Sequence, residues 1–289
     1  MTLNKSLSII IPHLKGQKIL DACVQSILKC SISIDYEIII VNNNCVDGSI
    51  AYIQKKVPNI KIIHSKNNKG YAGGCNLGAK NAVGYFLLFL NNDTILTENC
   101  IENLINIMKK YPKISAAQPK IKNYFNQNMF DYAGACGGYI DYLGYPFARG
   151  RILNTIEKDE KQYDDEQKIF WASGTCFITK TKIFHEMNGF DEFLFAHMEE
   201  IDYHWKCNLM GYSVWVEPAS LIYHYGGYTL KSNSSYKTFL NHRNSLILLL
   251  SNYSIGLSLY LFLIRLPLEI ISSIKELLTF RISHFFSHY

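Results

Sequence analysis

The residue types best suited to chemistry sit between positions 189 and 227. Glu199, Glu200 and Asp202 fall in the first turn of a predicted helix that ends at Gly211, a strand is expected over Tyr212–Glu217, and His224 stands just beyond it. Carboxylates, an imidazole and a nearby turn are the parts of a metal-assisted group transfer: oxygen and nitrogen ligands hold the cation, and a spare carboxylate takes a proton. A much earlier acidic residue, Asp93 in Asn91-Asn92-Asp93, has to join them for that chemistry to work. A plainer structural reading competes with this one. Acids in a helix's first turn are favoured by the macrodipole, and Asp202 and Lys206, four apart, can pair on the surface. Ile201, Trp205 and Leu209 then mark the buried face, with Glu199 and Glu200 to either side. Asp93, taken alone, reads as an N-cap for a helix over about Thr97–Lys110.

The elements that must position these groups alternate between strand and helix. Leu7–Ile11, Tyr36–Val41, Ile60–Ile63 and Tyr85–Leu90 are continuous apolar runs of strand length, the pattern of strands buried on both faces. Between them, Ile19, Leu20, Cys23, Ile27 and Leu28 fall at helical spacing, Asp47-Gly48-Ser49 opens a second helix, and Ala72–Ala82 reads as a third. Such alternation predicts an α/β fold with a mainly parallel sheet sandwiched by helices. Ligands gather outside the carboxyl ends of such strands, which here carry Pro12 and His13, Asn42 to Asn44, Lys66 to Gly70, and Asn91 to Asp93.

The 289 residues are 48% hydrophobic and 18% charged, which supports a sizeable core and excludes disorder. A net charge of +5 is mild; it suits an anionic ligand or a membrane surface, and no nucleic-acid partner is expected. The eight cysteines form no CxxC pair, which argues for buried, reduced thiols in a cytosolic setting and against a zinc knuckle. Leu7–Ile11, cut by Pro12, is too short for the apolar core of a signal peptide.

The stretch Asn67–Gly78 is glycine-rich but is neither a GxGxxG fingerprint nor a P-loop, because Ala79-Lys80 stands where Gly-Lys-Ser/Thr is required. An oxidoreductase reading is therefore disfavoured. Two readings of the stretch stay open: small residues for helix packing, or backbone at Gly73 brought close to a ligand with Asn68 and Asn76 supplying hydrogen bonds.

In order along the chain, Ser8–Pro12, Val41–Asn44 with Asp47–Ser49, Asn67–Gly78, Leu90–Asp93, Trp171–Gly174, Gly189–Glu192, Glu199–Asp202 and Pro218–His224 resemble the inverting family 2 glycosyltransferases, in their rhamnosyltransferase-like branch. The resemblance implies a GT-A fold over residues 1–235, a nucleoside-diphosphate-sugar donor, and a divalent cation, Mn²⁺ or Mg²⁺. It implies Asp93 and His224 as the metal ligands and Glu200 as the catalytic base. Pro12, His13, Asn42, Asn44, Asn68, Gly73, Asn76, Asn91, Asn92 and Asp93 then fall to the nucleotide-sugar, and Trp171, Ser173, Gly174 and Glu199 to the sugar or acceptor pocket. The sequence departs from the family pattern twice. Asn42 stands where an Asp usually contacts the base, adding a donor to an acceptor. Glu200 replaces an Asp, displacing the carboxylate by about 1.5 Å. A non-catalytic nucleotide-sugar-binding subunit is the competing function.

Beyond the catalytic part, Tyr124–Arg151 reads as a hairpin or flap over the site, and the acidic run Glu157–Glu166 as a mobile, solvated loop. The tail, 236–289, is uncharged from Asn244 to Ile264, long enough for a bilayer core of about 30 Å. Its Ser, Asn and Gly interruptions and the amphipathic continuation (Leu266, Ile270, Ile274, Leu277 and Leu278 among Arg265, Glu269, Lys275 and Glu276) favour helices lying in the membrane interface. Packing on the catalytic domain or a homodimer is the alternative. A glycan or polyprenyl-linked acceptor at the inner face of the membrane accounts for such a tail, with Arg243 and His242 near a lipid phosphate.

Overall fold

The computed structural model describes residues 5–152, 155–226 and 234–278, the side chains of 273 and 275–278 excepted. Lys5–His13 (β1), Gln17–Leu28 (α1), Tyr36–Asn42 (β2), Ser49–Lys56 (α2), Lys61–His64 (β3), Gly70–Lys80 (α3) and Gly84–Leu90 (β4) form the alternating half. Thr94–Leu96 (β5), Cys100–Lys110 (α4) and Ile114–Asn123 (β6) follow. Then come four short strands, Gly138–Ile140 (β7), Pro146–Ala148 (β8), Arg151–Ile152 (β9) and Thr155–Ile156 (β10). Gln167–Ile169 (β11), Cys176–Lys180 (β12), Thr181–Glu186 (α5), Glu199–Leu209 (α6) and Ser213–His224 (β13) complete the frame, and Ser235–Asn252 (α7) and Ile255–Leu278 (α8) form the tail.

The main sheet runs β11-β13-β6-β12-β4-β1-β2-β3, with β5 on β13. β1 pairs in parallel with both β2 and β4, and β13 with β6, whereas β12 is antiparallel to its neighbours. Side-chain alternation along β1 divides the core in two. Leu7, Ile9 and Ile11 meet α1, α2 and α4 on one face; Ile10 meets α3, α5 and α6 on the other. Both faces are dry, which is why the strands carry no polar alternation.

Four expectations change. The strand foreseen over Tyr212–Glu217 continues to His224, because a register shift between Glu217 and Leu221 absorbs Pro218 and the pairing with β6 then resumes. Asp93 caps no helix: it precedes β5, and α4 begins at Cys100 behind Asn99. The flap is a four-stranded antiparallel sheet, β10-β9-β8-β7, rather than one hairpin. The acidic run is anchored, since Asp159 pairs with Lys120 at 3.3 Å and Lys122 at 3.0 Å, and Asp164 and Glu166 reach Lys120 and Lys110.

The tail is built into the frame. Leu240, Leu248 and Leu249 of α7 are buried, and Asn252 Nδ2 donates to Asp202 at 2.9 Å. Asn244, fully buried, donates to the carbonyls of Leu194 (2.9 Å), Ala196 (3.0 Å) and His197 (2.7 Å). Arg243 is likewise engaged by the carbonyls of Phe193 and Leu194 and lies over the Phe193 ring, so it does not present itself to a lipid phosphate. Of the amphipathic positions expected further on, the side chains of Lys275, Glu276, Leu277 and Leu278 lie outside the described residues. Replacing Asn244 by Ala removes the donor to the Ala196 and His197 carbonyls, while Leu194 O keeps Arg243 and Ala196 N. Urea unfolding is expected to show a loss of about 1–3 kcal/mol, seen as a lower midpoint at unchanged slope.

Candidate active site

The carboxyl ends of β1 and β4 and the end of β13 bring the dispersed polar residues to one cavity of about 1100 Å³. His224 closes β13 beside β5, opposite Thr94. Its Nε2 lies 3.2 Å from Asp93 Oδ1, and its Nδ1 lies 2.9 Å from Asp131 Oδ1; all three side chains are buried. Burial works against a proton on this imidazole, but Asp131 and Asp93 outweigh it and hold the pKa near 10. One carboxylate thus orients the ring while the opposite nitrogen faces a second carboxylate, the arrangement in which histidine serves a metal. Asp93 Oδ1 and His224 Nε2 therefore suit a divalent cation, which would displace the shared proton, and Asp131 sets the tautomer. The flanking Gly226 lines the same cavity; Gly227 lies outside the described residues.

Glu199 and Glu200 enter the cavity at the start of α6. The approach to that helix is unusual: Phe195, His197 and Met198 all adopt positive φ (63°, 68° and 75°), a costly conformation for residues with side chains. Glu199 is buried, and Glu199 Oε2 and Glu200 Oε2 have no hydrogen-bond partner among the described residues. Burial raises both carboxyls above the ordinary range, Glu199 further because the Glu200 charge adds to it; for Glu200, backbone N–H groups including that of Gly174 pull the other way. Glu200 Oε1 accepts from Gly174 N at 3.4 Å. The expected surface pair of Asp202 and Lys206 is instead half-buried, with Asp202 turned to α7, and Leu209, expected inside, is 65% exposed.

Pro12, His13, Asn68, Asn91, Asn92, Asp93, Trp171, Ser173, Gly174, Glu199, Glu200 and His224 all line the cavity. Asn92 is buried between His13 Nδ1 (2.8 Å) and the Lys15 carbonyl (3.2 Å). Trp171 donates its indole N–H to Tyr139 O, and Ser173 its hydroxyl to Ala133 O, so both fix the flap while presenting a surface to the cavity.

Four expected residues do not line it. Asn42 is occupied by His64 (3.1 Å) and the Cys45 amide (2.7 Å). Asn44 is exposed in a left-handed turn. Gly73 makes room for Lys69. Asn76 clamps both backbone groups of Phe190. Their neighbours Asn43 and Gly70 line the cavity. Asn43 braces the loop by accepting from Lys69 N and donating to Asn68 Oδ1 and Gly70 O. Gly70, at φ 69°, lets the loop approach Phe195, where a Cβ would stand 2.1 Å from the carbonyl oxygen.

His13, Cys45 and Asp47 also bring one ligand atom each within 4.8 Å of one another. Asp47 is already satisfied by Ser49 N, Gly16 N and Cys45 Sγ, so this group reads as a stapled turn.

Solved structures share this architecture. GalNAc-T7 with UDP, GalNAc and Mn²⁺ superposes with a TM-score of 0.61 at 17% identity, over 76% of this chain and 43% of that one. The mannosyltransferase PcManGT of Pyrobaculum calidifontis, in complex with GDP-Man and Mn²⁺, gives 0.57 at 13% identity, over 85% of this chain and 63% of that one. The fold is that of the GT-A glycosyltransferases. The sequence profile of glycosyl transferase family 2 matches residues 8–187, and the chain belongs to that family. It is 24% identical, over 234 residues and 75% of each chain, to N-acetylglucosaminyl-diphospho-decaprenol L-rhamnosyltransferase of Mycobacterium tuberculosis.

Asp131 had no signal in the sequence, and its role is directly testable. Asp131→Asn keeps the shape but removes the charge that orients His224. Calorimetric titration with Mn²⁺ is expected to show affinity reduced about 10- to 100-fold with the fold intact.

Proposed function

We propose that this protein is an inverting, metal-dependent glycosyltransferase that moves a sugar from a nucleoside-diphosphate donor to a glycan or lipid-linked acceptor in cell-surface polysaccharide synthesis. The observation that carries this reading is the convergence of Asp93, His224 and Glu200 on one cavity; Asp93 and His224 are 131 positions apart in the chain. Rhamnose is the first candidate for the sugar, from the name of the mycobacterial relative, which also supplies the idea of a diphosphate-linked lipid acceptor. The Mn²⁺ present with two of the fold neighbours agrees with an Asp–His donor set, which leans toward Mn²⁺ over Mg²⁺.

A divalent cation held by Asp93 and His224 would supply Lewis-acid neutralisation of the departing diphosphate. The protein's own groups do the rest. Glu200, ionised, takes the proton of the acceptor hydroxyl. The oxygen then attacks the anomeric carbon from the face opposite the diphosphate, which leaves with its bonding electron pair, so the configuration inverts. Trp171, Ser173 and Gly174 shape the pocket in which the acceptor meets the sugar.

The exposed apolar side of the tail supports a location of this chemistry at a membrane. Along α8, Ile255, Leu259, Leu263 and Ile271 are each more than half exposed. Ile255–Ser272 has mean hydropathy 1.7 and is only 17% buried, an apolar face of the kind that marks a membrane or partner surface. Pro267 and the inward Arg265 suit a helix lying along the inner face of the cell membrane better than one crossing it.

Glu200→Gln is expected to lower transfer about 10²- to 10⁴-fold while donor binding, measured by titration, is retained; normal turnover by this variant would remove Glu200 as the base. The pH dependence follows from the raised Glu200 pKa. Only the ionised form accepts a proton, so kcat/KM is expected to fall as pH drops through a value above the ordinary carboxylate range. An acid limb at an ordinary carboxylate pKa would contradict the assignment.

A further inference from the structure

Beyond the metal-binding pair, the cavity holds a second group of nitrogen donors with no assigned task. Lys237 lies in the first turn of α7 and Arg151 in β9, both half-buried and both lining the cavity. They meet across one ring: the Arg151 guanidinium lies 4.1 Å and Lys237 Nζ 5.9 Å from the centre of Tyr132. Among the described residues neither forms a salt bridge. The carboxylate that acts on Lys237 is Asp131, already bound to His224. His197, near enough to feel the Lys237 charge, lines the same cavity with its Nε2 buried and without a partner.

The Tyr132 ring and its carbonyl, which accepts from Arg151 at 2.9 Å, favour the guanidinium, but the rest of this placement is unfavourable for an empty pocket. Two cations share one aromatic ring, and like charges repel. A lysine in a helix's first turn opposes the macrodipole, and no acid in that turn offsets it. Burial and Arg151 together push the Lys237 pKa down. An incoming anion would offset the repulsion between the two cations and the unfavourable dipole at once. A planar guanidinium, an ammonium and an imidazole N–H form a donor set suited to phosphate oxygens. A donor diphosphate is already provided for by the cation at Asp93 and His224, so this group is additional to that need.

We propose that Lys237, Arg151 and His197 form a phosphate subsite distinct from the metal centre, taking a phosphate ester or diphosphate of a ligand in the same cavity. Within the transferase reading, on which its use rests, that phosphate belongs either to the lipid-linked acceptor or to the donor. Titration with inorganic pyrophosphate in EDTA reads the subsite without metal and without turnover. The unaltered protein is expected to bind, Lys237→Arg to retain binding, and the Lys237→Gln, Arg151→Gln double variant to bind at least tenfold more weakly at unchanged melting temperature. Unaltered binding by the double variant, or none by the original protein, overturns the proposal. Kinetics then assign the source. A lost preference for diphosphate-linked over uncharged alkyl glycoside acceptors assigns the phosphate to the acceptor, and a raised donor KM without acceptor assigns it to the donor; no change in either overturns the functional role. Failure of the transferase reading would appear separately, as no donor turnover by the unaltered protein whatever its pyrophosphate binding.

Discussion

The site depends on a short stretch of backbone that would not hold its shape alone. Three residues with side chains, Phe195, His197 and Met198, adopt left-handed conformations immediately before Glu199, at a cost of order 1–3 kcal/mol each. What holds them is the Asn244 amide, which donates to three carbonyls of that segment from a helix beginning ten residues after β13. Gly70 supports the segment from the other side, because only a residue without Cβ lets α3 come this close and lets Ala72 N reach Phe195 O at 3.1 Å. Strain, clamp and glycine together aim two carboxylates into a cavity where burial raises their pKa values. Without the clamp, α6 could relax toward an ordinary N-terminus with its acids in solvent.

The cluster of His224 with Asp93 and Asp131 is built by a different principle. His224 is held by sheet pairing, since β13 runs beside β6 and β5 to its last residue. Asp93 follows the central strand β4, and Asp131 comes from the segment after β6. His224 thus sits on a strand, and Asp93 and Asp131 in the segments that follow β4 and β6, none of the three at positive φ.

The strands of the alternating half were legible because burial on both faces leaves an unbroken apolar run, a signal that needs no tertiary information. The helix bearing Glu199 was legible from its pattern, but its burial was not: Leu209 looked interior and is exposed, while Asp202 looked exterior and is covered by α7. Pro218 read as the end of a strand because proline cannot donate to a ladder, yet a shift of register carried the strand past it. Among Asn42, Asn43 and Asn44, composition cannot say which faces the ligand. The end of β2 decides it, by turning Asn42 toward His64 and burying Asn43 against the loop at Asn68. Asp131 was invisible for a deeper reason. Its meaning comes from a contact 93 residues away, and nothing local distinguishes it from any acid in a loop.

The C-terminal helices are the part whose role changes most between sequence and structure. By composition they read as an appendage, an uncharged run followed by an amphipathic one. In the fold, Lys237, Thr238, Asn241, His242 and Ser245 of α7 and Arg265 and Glu269 of α8 form one wall of the cavity. Arg265 is buried, donating to Ser245 Oγ at 2.7 Å and lying 3.9 Å over Tyr145 of the flap, while Glu269 accepts from Tyr145 and pairs with His242 at 2.6 Å. One side of α8 is thus polar and committed to the site, and the other is apolar and exposed. A helix so divided transmits position: whatever surface covers its apolar side also fixes the wall of the cavity, and through α7 and Asn244 the loop that aims Glu200. The exposed apolar side of α8 and the geometry of the Glu200 carboxylate are in this way connected through a single pair of helices.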